Sequence, residues 1–283
     1  MSPSSGTMPF MPGIRRPRKS LGQHFLVDSR VANRIVAAAD LTDADTVVEI
    51  GPGNGVLTRR LVERAGRVVA VELDQRLAAE LPARLGMPGN LEVHHGDART
   101  VAIEDLVGLG NPYKMIANLP YYAASPITRR FLESEQSPDV MVVMLQREVG
   151  EAMTAKPGAM TLLSVATQIY AEASVVTHVP ARSFRPPPKV SSTVVKLKVR
   201  SKAAAPVEDV ARFFALVRAG FAAPRKQLRN SLAQGTGAPA EVVSATLDDA
   251  GIDERRRPAT LTLAEWGNLN AVWPPEAPRS RAN

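Results

Sequence analysis

The chain has 283 residues, 45% of them hydrophobic, a formal net charge of +7 and no cysteine. That length allows one large domain or two and a substantial core; the absence of cysteine excludes disulfides, thiol catalysis and cysteine-ligated zinc or iron–sulfur clusters. The basic balance points to an anionic partner, most often nucleic acid.

Residues 1–19 read as a disordered basic tail, rich in Pro, Ser, Gly and Met and without period. Arg15, Arg16, Arg18 and Lys19 lie there with no acid before Asp28. The basic residues follow the apolar ones, the reverse of a secretory signal, and no apolar run has the length of a membrane span. A soluble cytoplasmic chain is the expectation, and nothing suggests an obligate oligomer; the working state is a monomer. Asp28 suits the N-cap of a helix through Val31, Ile35 and Ala38. TVVEIGPGNG is a β-branched strand ending in glycines, VLTRRLVERAG a helix closed by Gly66, and RVVAVELD a second strand. QRLAAELPARLG is a helix, LEVHHGDA a third strand and YKMIANLP a fourth. VMVVML (140–145) is a fifth, buried strand, followed by a helix around EVGEAMTA.

This alternation predicts an α/β fold, a Rossmann-like, doubly wound parallel sheet. ASVVTHVP and SSTVVKLKVR have no helix between them and predict an antiparallel hairpin that finishes the sheet. SKAAAPVED reads as a linker. Helices are then expected over VEDVARFFALVRAGFA, over EVVSATLDDAG and from Thr262, whose spacing to Glu265 is that of a capping box. The expected organisation is a tail over 1–19, an α/β domain over 20–200, a small all-helical domain over 201–275 and a tail over 276–283. His94 and His95 are strand neighbours and point to opposite faces, so no metal is expected.

Three signals converge on one edge of the predicted sheet, the edge where open α/β folds bind ligands. The first strand ends in Gly51, Gly53 and Gly55, with Glu49 two residues ahead. A G-x-G-x-G turn after an acid differs from the dinucleotide spacing and is typical of nucleoside-sized cofactors such as S-adenosylmethionine. Glu72 ends the second strand, where a carboxylate accepts from ribose hydroxyls. Asp97 follows the third, where it could accept from an adenine amino group. Each acid alone could be a turn residue; together they describe a cofactor site.

The fourth strand runs into Asn118, Leu119, Pro120 and Tyr121. The exocyclic amine of a nucleobase is a weak nucleophile, because its lone pair is delocalised into the ring. The Asn118 side-chain oxygen and the Leu119 carbonyl could accept its two hydrogens and turn the lone pair toward a methylsulfonium. Pro120 stiffens the turn, and the Tyr121 ring could stack on the base. Catalysis would be orientation and hydrogen bonding, with no strong general base. A base entering such a pocket must leave its stack; Phe184, before three prolines that would hold an extended loop, is the candidate second wall, against the commoner fate of Phe in a core.

LGQHFL (21–26), EIGPG (49–53), GDA (96–98), NLPY (118–121), PPPKV (186–190) and RKQLRNSL (225–232) together resemble the small-subunit ribosomal RNA adenine N6,N6-dimethyltransferases, the enzymes linked to kasugamycin sensitivity. The resemblance spans roughly residues 18–273. It implies a methyltransferase domain with a helical C-terminal domain, and S-adenosylmethionine as cofactor with S-adenosylhomocysteine as product. The implied reaction places two methyls on N6 of each of two adjacent adenosines near the 3′ end of small-subunit rRNA, on the small ribosomal subunit or its precursor. By position it assigns cofactor contacts to His24, Leu26, Gly51, Glu72, Asp97 and Asn118, the catalytic loop to 118–121, and the stacking wall to Phe184. Many members carry Asn at the positions of His24 and Tyr122.

Arg225, Lys226 and Arg229 would share one side of a helix opened by Pro224 and are the candidate phosphate contacts; Arg255, Arg256 and Arg257 read as solvated surface. A DNA adenine or protein-glutamine methyltransferase, which could use Asn-Pro-Pro-Tyr at this place, is disfavoured by Leu119, and an NAD oxidoreductase by the glycine spacing; two further rivals stand beside this reading. One is the macrolide-resistance methylase of large-subunit rRNA, which the RKQLRNSL stretch disfavours. The other is a non-catalytic ribosome assembly factor on the same fold, which intact Glu72, Asp97 and 118–121 disfavour.

Overall fold

The computed structural model describes residues 23–205 and 207–274. The basic tail, and Leu21 and Gly22 of the first motif, lie outside the described residues. After a two-residue strand β1 (Phe25–Leu26), Asp28 caps α1 (Ser29–Ala38) through its side chain, which accepts from the Arg30 N–H. The expected alternation then follows: β2 (Thr46–Ile50), α2 (Thr58–Val62), β3 (Arg67–Glu72), α3 (Gln75–Leu85), β4 (Leu91–His95), α4 (Ile103–Val107), β5 (Lys114–Asn118), α5 (Ala124–Leu132), β6 (Val140–Gln146), α6 (Arg147–Thr154) and α7 (Leu162–Gln168). Two long strands, β7 (Ala171–Val179) and β9 (Ser192–Val199), flank the two-residue β8 (Phe184–Arg185).

The main sheet has seven strands in the order β4-β3-β2-β5-β6-β9-β7. The first five are parallel, while β9 runs antiparallel between β6 and β7. The expected closing hairpin is present, with its second strand innermost. Strands buried on both faces read as continuous apolar runs, and β6 (VMVVMLQ) has five fully buried residues in succession. Alternate residues serve two cores. Val48, Ile50, Met115 and Val143 pack with α4, α5 and α6; Val47, Val68, Ile116 and Val142 pack with α1 and α2.

The chain then forms α8 (Val210–Gly220), α9 (Leu228–Thr236), α10 (Ala240–Asp249) and α11 (Leu263–Val272), which close a third core around Trp266, Phe213 and Leu232. Val165 and Ile169 at α7 belong to that third core, so the helical unit packs directly on the sheet-bearing part. The capping box at Thr262 is formed in both directions with Glu265.

Local expectations need correction in three places. Gly66 does not close a helix, because α2 ends at Val62. Its N–H donates to the Asp45 carbonyl (3.1 Å), and a Cβ at this position would overlap the Asp43 carbonyl oxygen. The glycine serves a close backbone approach. Pro224 does not open α9: the Leu228 N–H donates to the Arg256 carbonyl (2.6 Å), and Ser231 Oγ accepts from the Ala223 N–H (3.0 Å), so tertiary contacts set the start. Arg256 is not a solvated side chain; it is clamped to the Glu265 carboxylate and to the Thr260 carbonyl (2.8 Å).

Replacing Gly66 with Ala forces two backbone segments apart. Gly66→Ala is expected to cost about 1–3 kcal/mol, as overpacking does, and to lower the thermal midpoint by several degrees. A thermal melt against wild type checks this, with Gly89→Ala, where nothing lies within 4 Å of the added carbon, as the neutral control.

Candidate active site

The site sits where the sheet changes direction. Chain growth from β2 runs one way, to β3 and β4, and β5 begins the other half on β2's opposite side. Such a switch point leaves a crevice beyond the carboxyl ends of the strands. Here the loops after β2 and β5 meet in it: a Cβ on Gly51 would lie 3.6 Å from the Asn118 carbonyl oxygen. The resulting cleft is lined by His24, Phe25, Gly51, Glu72, Leu73, residues 118–122 and Phe184.

All three glycines of the turn have positive φ: +70° at Gly51, +57° at Gly53 and +80° at Gly55. Only Gly51 lines the cleft. Gly53 leaves room for the Phe25 ring and Gly55 for Leu81, which a Cβ would approach to 3.0 and 2.8 Å. Both glycines let the turn fold against β1 and α3.

Two acids lie beneath the turn. Glu72 ends β3, and its carboxylate accepts from the Gly53 N–H and the Asp74 N–H, each at 3.0 Å. Burial raises its pKa, and the two backbone donors oppose that rise. Glu49 is 1% exposed. Burial pushes its carboxyl up to about 8, against the lowering influence of the nearby Thr58 hydroxyl, with Glu72 adding to the rise. Neither Glu49 Oε2 nor Thr58 Oγ1 completes a hydrogen bond. At neutral pH Glu49 is largely protonated.

Asp97 follows β4, as the sequence placed it. It does not line the cleft. Its carboxylate is held by the Arg99 side chain (Nε to Oδ1 3.0 Å, Nη2 to Oδ2 2.6 Å) and by the Arg99 N–H (2.9 Å), and this pairing keeps it below the usual carboxylate range. The sequence showed an acid at a strand end; it did not show that a neighbouring guanidinium occupies it.

The loop after β5 is tied on both flanks. The Leu119 N–H donates to the Met144 carbonyl (3.0 Å), its side chain is 2% exposed, and the Ala123 N–H closes a turn onto the Pro120 carbonyl (2.9 Å). Tyr121 is half-buried, and burial raises its phenol pKa, so the hydroxyl stays protonated. Tyr122 stands 55% exposed at the rim.

β1 and β8 pair antiparallel, Phe25 with Arg185 and Leu26 with Phe184. That small sheet carries His24 onto the cleft and joins it to the proline-rich loop: His24 Nδ1–H donates to the Pro186 carbonyl (2.8 Å). Leu26 is buried behind the cleft. Phe184 both lines the cleft and packs in the core with Leu26, Val179 and Val194, at 1% exposure. It is a backing wall embedded in the fold, where the sequence suggested a choice between wall and core. Sequence reasoning missed Phe25 and this pairing, because two-residue strands have no period to read.

Of the three predicted phosphate contacts, Arg225 and Lys226 are exposed in the turn before α9. Arg229 is engaged within its own unit, with the Ala240 carbonyl (3.4 Å) and Glu254 (3.6 Å). The three do not share a helix face.

A sheet of this order, with an antiparallel final pair and its cleft at the switch point, is that of a Rossmann-like methyltransferase. The solved 23S rRNA methyltransferase ErmE superposes with a TM-score of 0.71 at 29% identity, covering 88% of this chain and 98% of that one. A dimethyladenosine transferase from Plasmodium falciparum gives a TM-score of 0.75 at 25% identity, covering 87% and 96%. The family model described as ribosomal RNA adenine dimethylase matches residues 14–269. The ribosomal RNA small subunit methyltransferase A of Dehalococcoides mccartyi is 45% identical over 258 residues, 91% of this chain and 89% of that protein. That of Pelotomaculum thermopropionicum is 45% identical over 265 residues, 89% of this chain and 90% of that protein. The chain belongs to the ribosomal RNA adenine dimethylase family and is an rRNA methyltransferase, as its six motifs suggested.

The buried acid gives a pH signature. The folded state holds a proton on Glu49 that the unfolded chain releases above its ordinary value of 4.5, so stability falls as pH rises from about 4.5 to about 8. A tenfold difference in proton affinity between the folded and unfolded chain corresponds to about 1.4 kcal/mol. Glu49→Gln removes this dependence. Unfolding midpoints at pH 5 and pH 8.5 are expected to separate less in the variant than in wild type; equal separation would show that Glu49 is ionised in the fold.

Proposed function

We propose that this enzyme transfers methyl groups from S-adenosylmethionine to N6 of two adjacent adenosines near the 3′ end of small-subunit rRNA, late in small-subunit assembly. The observation that carries the reading is the continuity of one cleft from Gly51 and Glu72 to residues 118–122. A cofactor held by the former presents its reactive end to the latter.

The residues fit that cofactor. S-Adenosylmethionine brings a sulfonium and an ammonium. The acids here, Glu72 at the cleft and Glu49 behind it, have raised pKa values because burial penalises their charged forms. A bound cation would favour their ionised forms. Glu72 has spare acceptor capacity for ribose hydroxyls beside its two backbone donors. Asp97 can serve the adenine amino group when it shares or releases Arg99. His24, Gly51 and Asn118 line the same cleft.

When bound, the cofactor supplies an electrophilic methyl on a positively charged sulfur. The chain's own part is orientation. Asn118 Oδ1 and the Leu119 carbonyl accept the two N6 hydrogens, which localises the nitrogen lone pair toward the methyl. Tyr121 stacks on the base, with Phe184 backing it. The proton lost from N6 passes to water, since the protonated phenol of Tyr121 is no base. Residues 20–200 act as the catalytic domain. The helical unit over 201–275 supplies phosphate contacts through Arg225 and Lys226, and Arg229 braces that unit.

The choice of the small subunit rests on identity: 45% to small-subunit enzymes, against 29% to ErmE. The deciding experiment is transfer of labelled methyl from S-adenosylmethionine to small and large ribosomal subunits lacking the modification, followed by mapping of the labelled nucleoside. Dimethyladenosine near the 3′ end of small-subunit rRNA is expected. Label confined to large-subunit rRNA would overturn the substrate assignment, and cofactor binding without label would point to an assembly factor.

Two variants probe the parts. Asn118→Ala is expected to lower methyl transfer by about 10²–10³-fold, the size of a lost transition-state hydrogen bond, while cofactor binding by calorimetry is partly retained. Arg225→Ala with Lys226→Ala is expected to weaken RNA binding and to reduce the salt slope by about 2, one per phosphate contact, with cofactor affinity unchanged.

A further inference from the structure

A tyrosine is not needed where only a stacking face is required; phenylalanine offers the same ring. The hydroxyl of Tyr121 has a specific use in this fold. It lies 2.8 Å from Ser192 Oγ. Ser192 has no solvent exposure and begins β9, where it pairs with Gln146 of β6 on one side and Val179 of β7 on the other. The two adjoining strands fix its position. A hydroxyl buried there costs stability unless it is bonded, and the Tyr121 phenol supplies that bond.

The ring itself is braced by a second group. The His24 imidazole stacks against Tyr121 with centroids 6.0 Å apart and planes 29° apart, and His24 is held in turn by the Pro186 carbonyl at 2.8 Å. One face of the phenol thus has a neighbour before any ligand enters, and its hydroxyl is tethered to the sheet. The two restraints differ: the hydroxyl lies on the axis of ring rotation, so its tether fixes where the ring sits, while the His24 stack restrains the rotation.

We infer that Ser192 is a positioning residue: it anchors the Tyr121 hydroxyl to the sheet and presets the position of the ring on which the target adenine stacks. This rests on the reading of Tyr121 as the stacking residue. Ser192 itself touches neither base nor cofactor; it lies outside the cleft lining, and its effect passes through Tyr121 alone. That dependence separates it from a residue that merely supports the fold.

The test is a double-mutant cycle with Ser192→Ala and Tyr121→Phe, run on whichever ribosomal subunit the wild-type enzyme methylates. The readouts are single-turnover methyl transfer, and cofactor affinity measured separately by calorimetry. Each single variant is expected to slow transfer by about tenfold, the scale of one lost hydrogen bond between coupled groups. The double variant should be no slower than Tyr121→Phe, and cofactor affinity should stay within about twofold throughout, well inside that tenfold effect. Tyr121→Phe keeps the ring and leaves the sheet residue unchanged, so it reports even if Ser192→Ala folds poorly. Wild-type rates in Tyr121→Phe would overturn the proposal and leave the stacking reading intact. Equal slowing by Ser192→Ala in the wild-type and the Tyr121→Phe backgrounds would overturn it too, because Ser192 would then act through the fold. If Tyr121→Ala also transfers at the wild-type rate, it is the stacking reading that falls.

Discussion

The contact between the turn after β2 and the end of β5 is the constraint on which the site depends. Parallel strands of a doubly wound sheet feed their helices to one face or the other, and the crevice opens only where the direction of winding reverses. In this chain the reversal lies between β2 and β5. Gly51 stands beside the Asn118 backbone there, and its φ of +70° is a conformation that favours glycine. Gly53 and Gly55 have a different reason to be glycine, since the Phe25 ring and Leu81 occupy the space their side chains would need. A three-glycine turn thus has one position that borders the cleft and two that serve packing.

Electrostatics follows from the same geometry. Glu49 and Glu72 are placed at successive strand ends, where the sheet and the turn shut out water. Both carboxyls rise in pKa, Glu49 to about 8. Asp97 shows the opposite arrangement. It lies nearer solvent, and the adjacent Arg99 keeps it ionised.

The parts of this fold that repeat were legible in the sequence, and the parts that meet once were not. Strand β6 announces itself by an unbroken apolar run, α1 by Asp28 and its period, and α11 by Thr262 and Glu265. Periodicity and capping are local chemistry. The pairing of Phe25 with Arg185 is not local: it joins segments 160 residues apart (185 − 25) through two-residue strands. The same holds for the start of α9, set by Arg256 from a distant loop. Site residues show the same division. Glu72 and Asn118 could be placed from strand ends, whereas the partner of Asp97, the embedding of Phe184 and the anchor of Tyr121 require the folded chain.

The step from Asn118 to Tyr121 shows why the loop reads Asn-Leu-Pro-Tyr and not Asn-Pro-Pro-Tyr, the form a DNA adenine or protein-glutamine methyltransferase could use at this place. Leu119 donates its N–H to Met144, which extends the β5–β6 ladder by one bond beyond the last paired residue, and its side chain is sealed in the core. Proline has no N–H to give and could not make that bond. Position 119 therefore belongs to the sheet in its backbone N–H and its side chain. Proline is admitted one residue later, where the ladder has ended and a fixed φ aids the turn. A weak nucleophile needs acceptors that do not yield as it approaches. For the acceptor role proposed for residues 118–121, the sheet supplies an anchor by carrying its hydrogen bonding one residue into the loop.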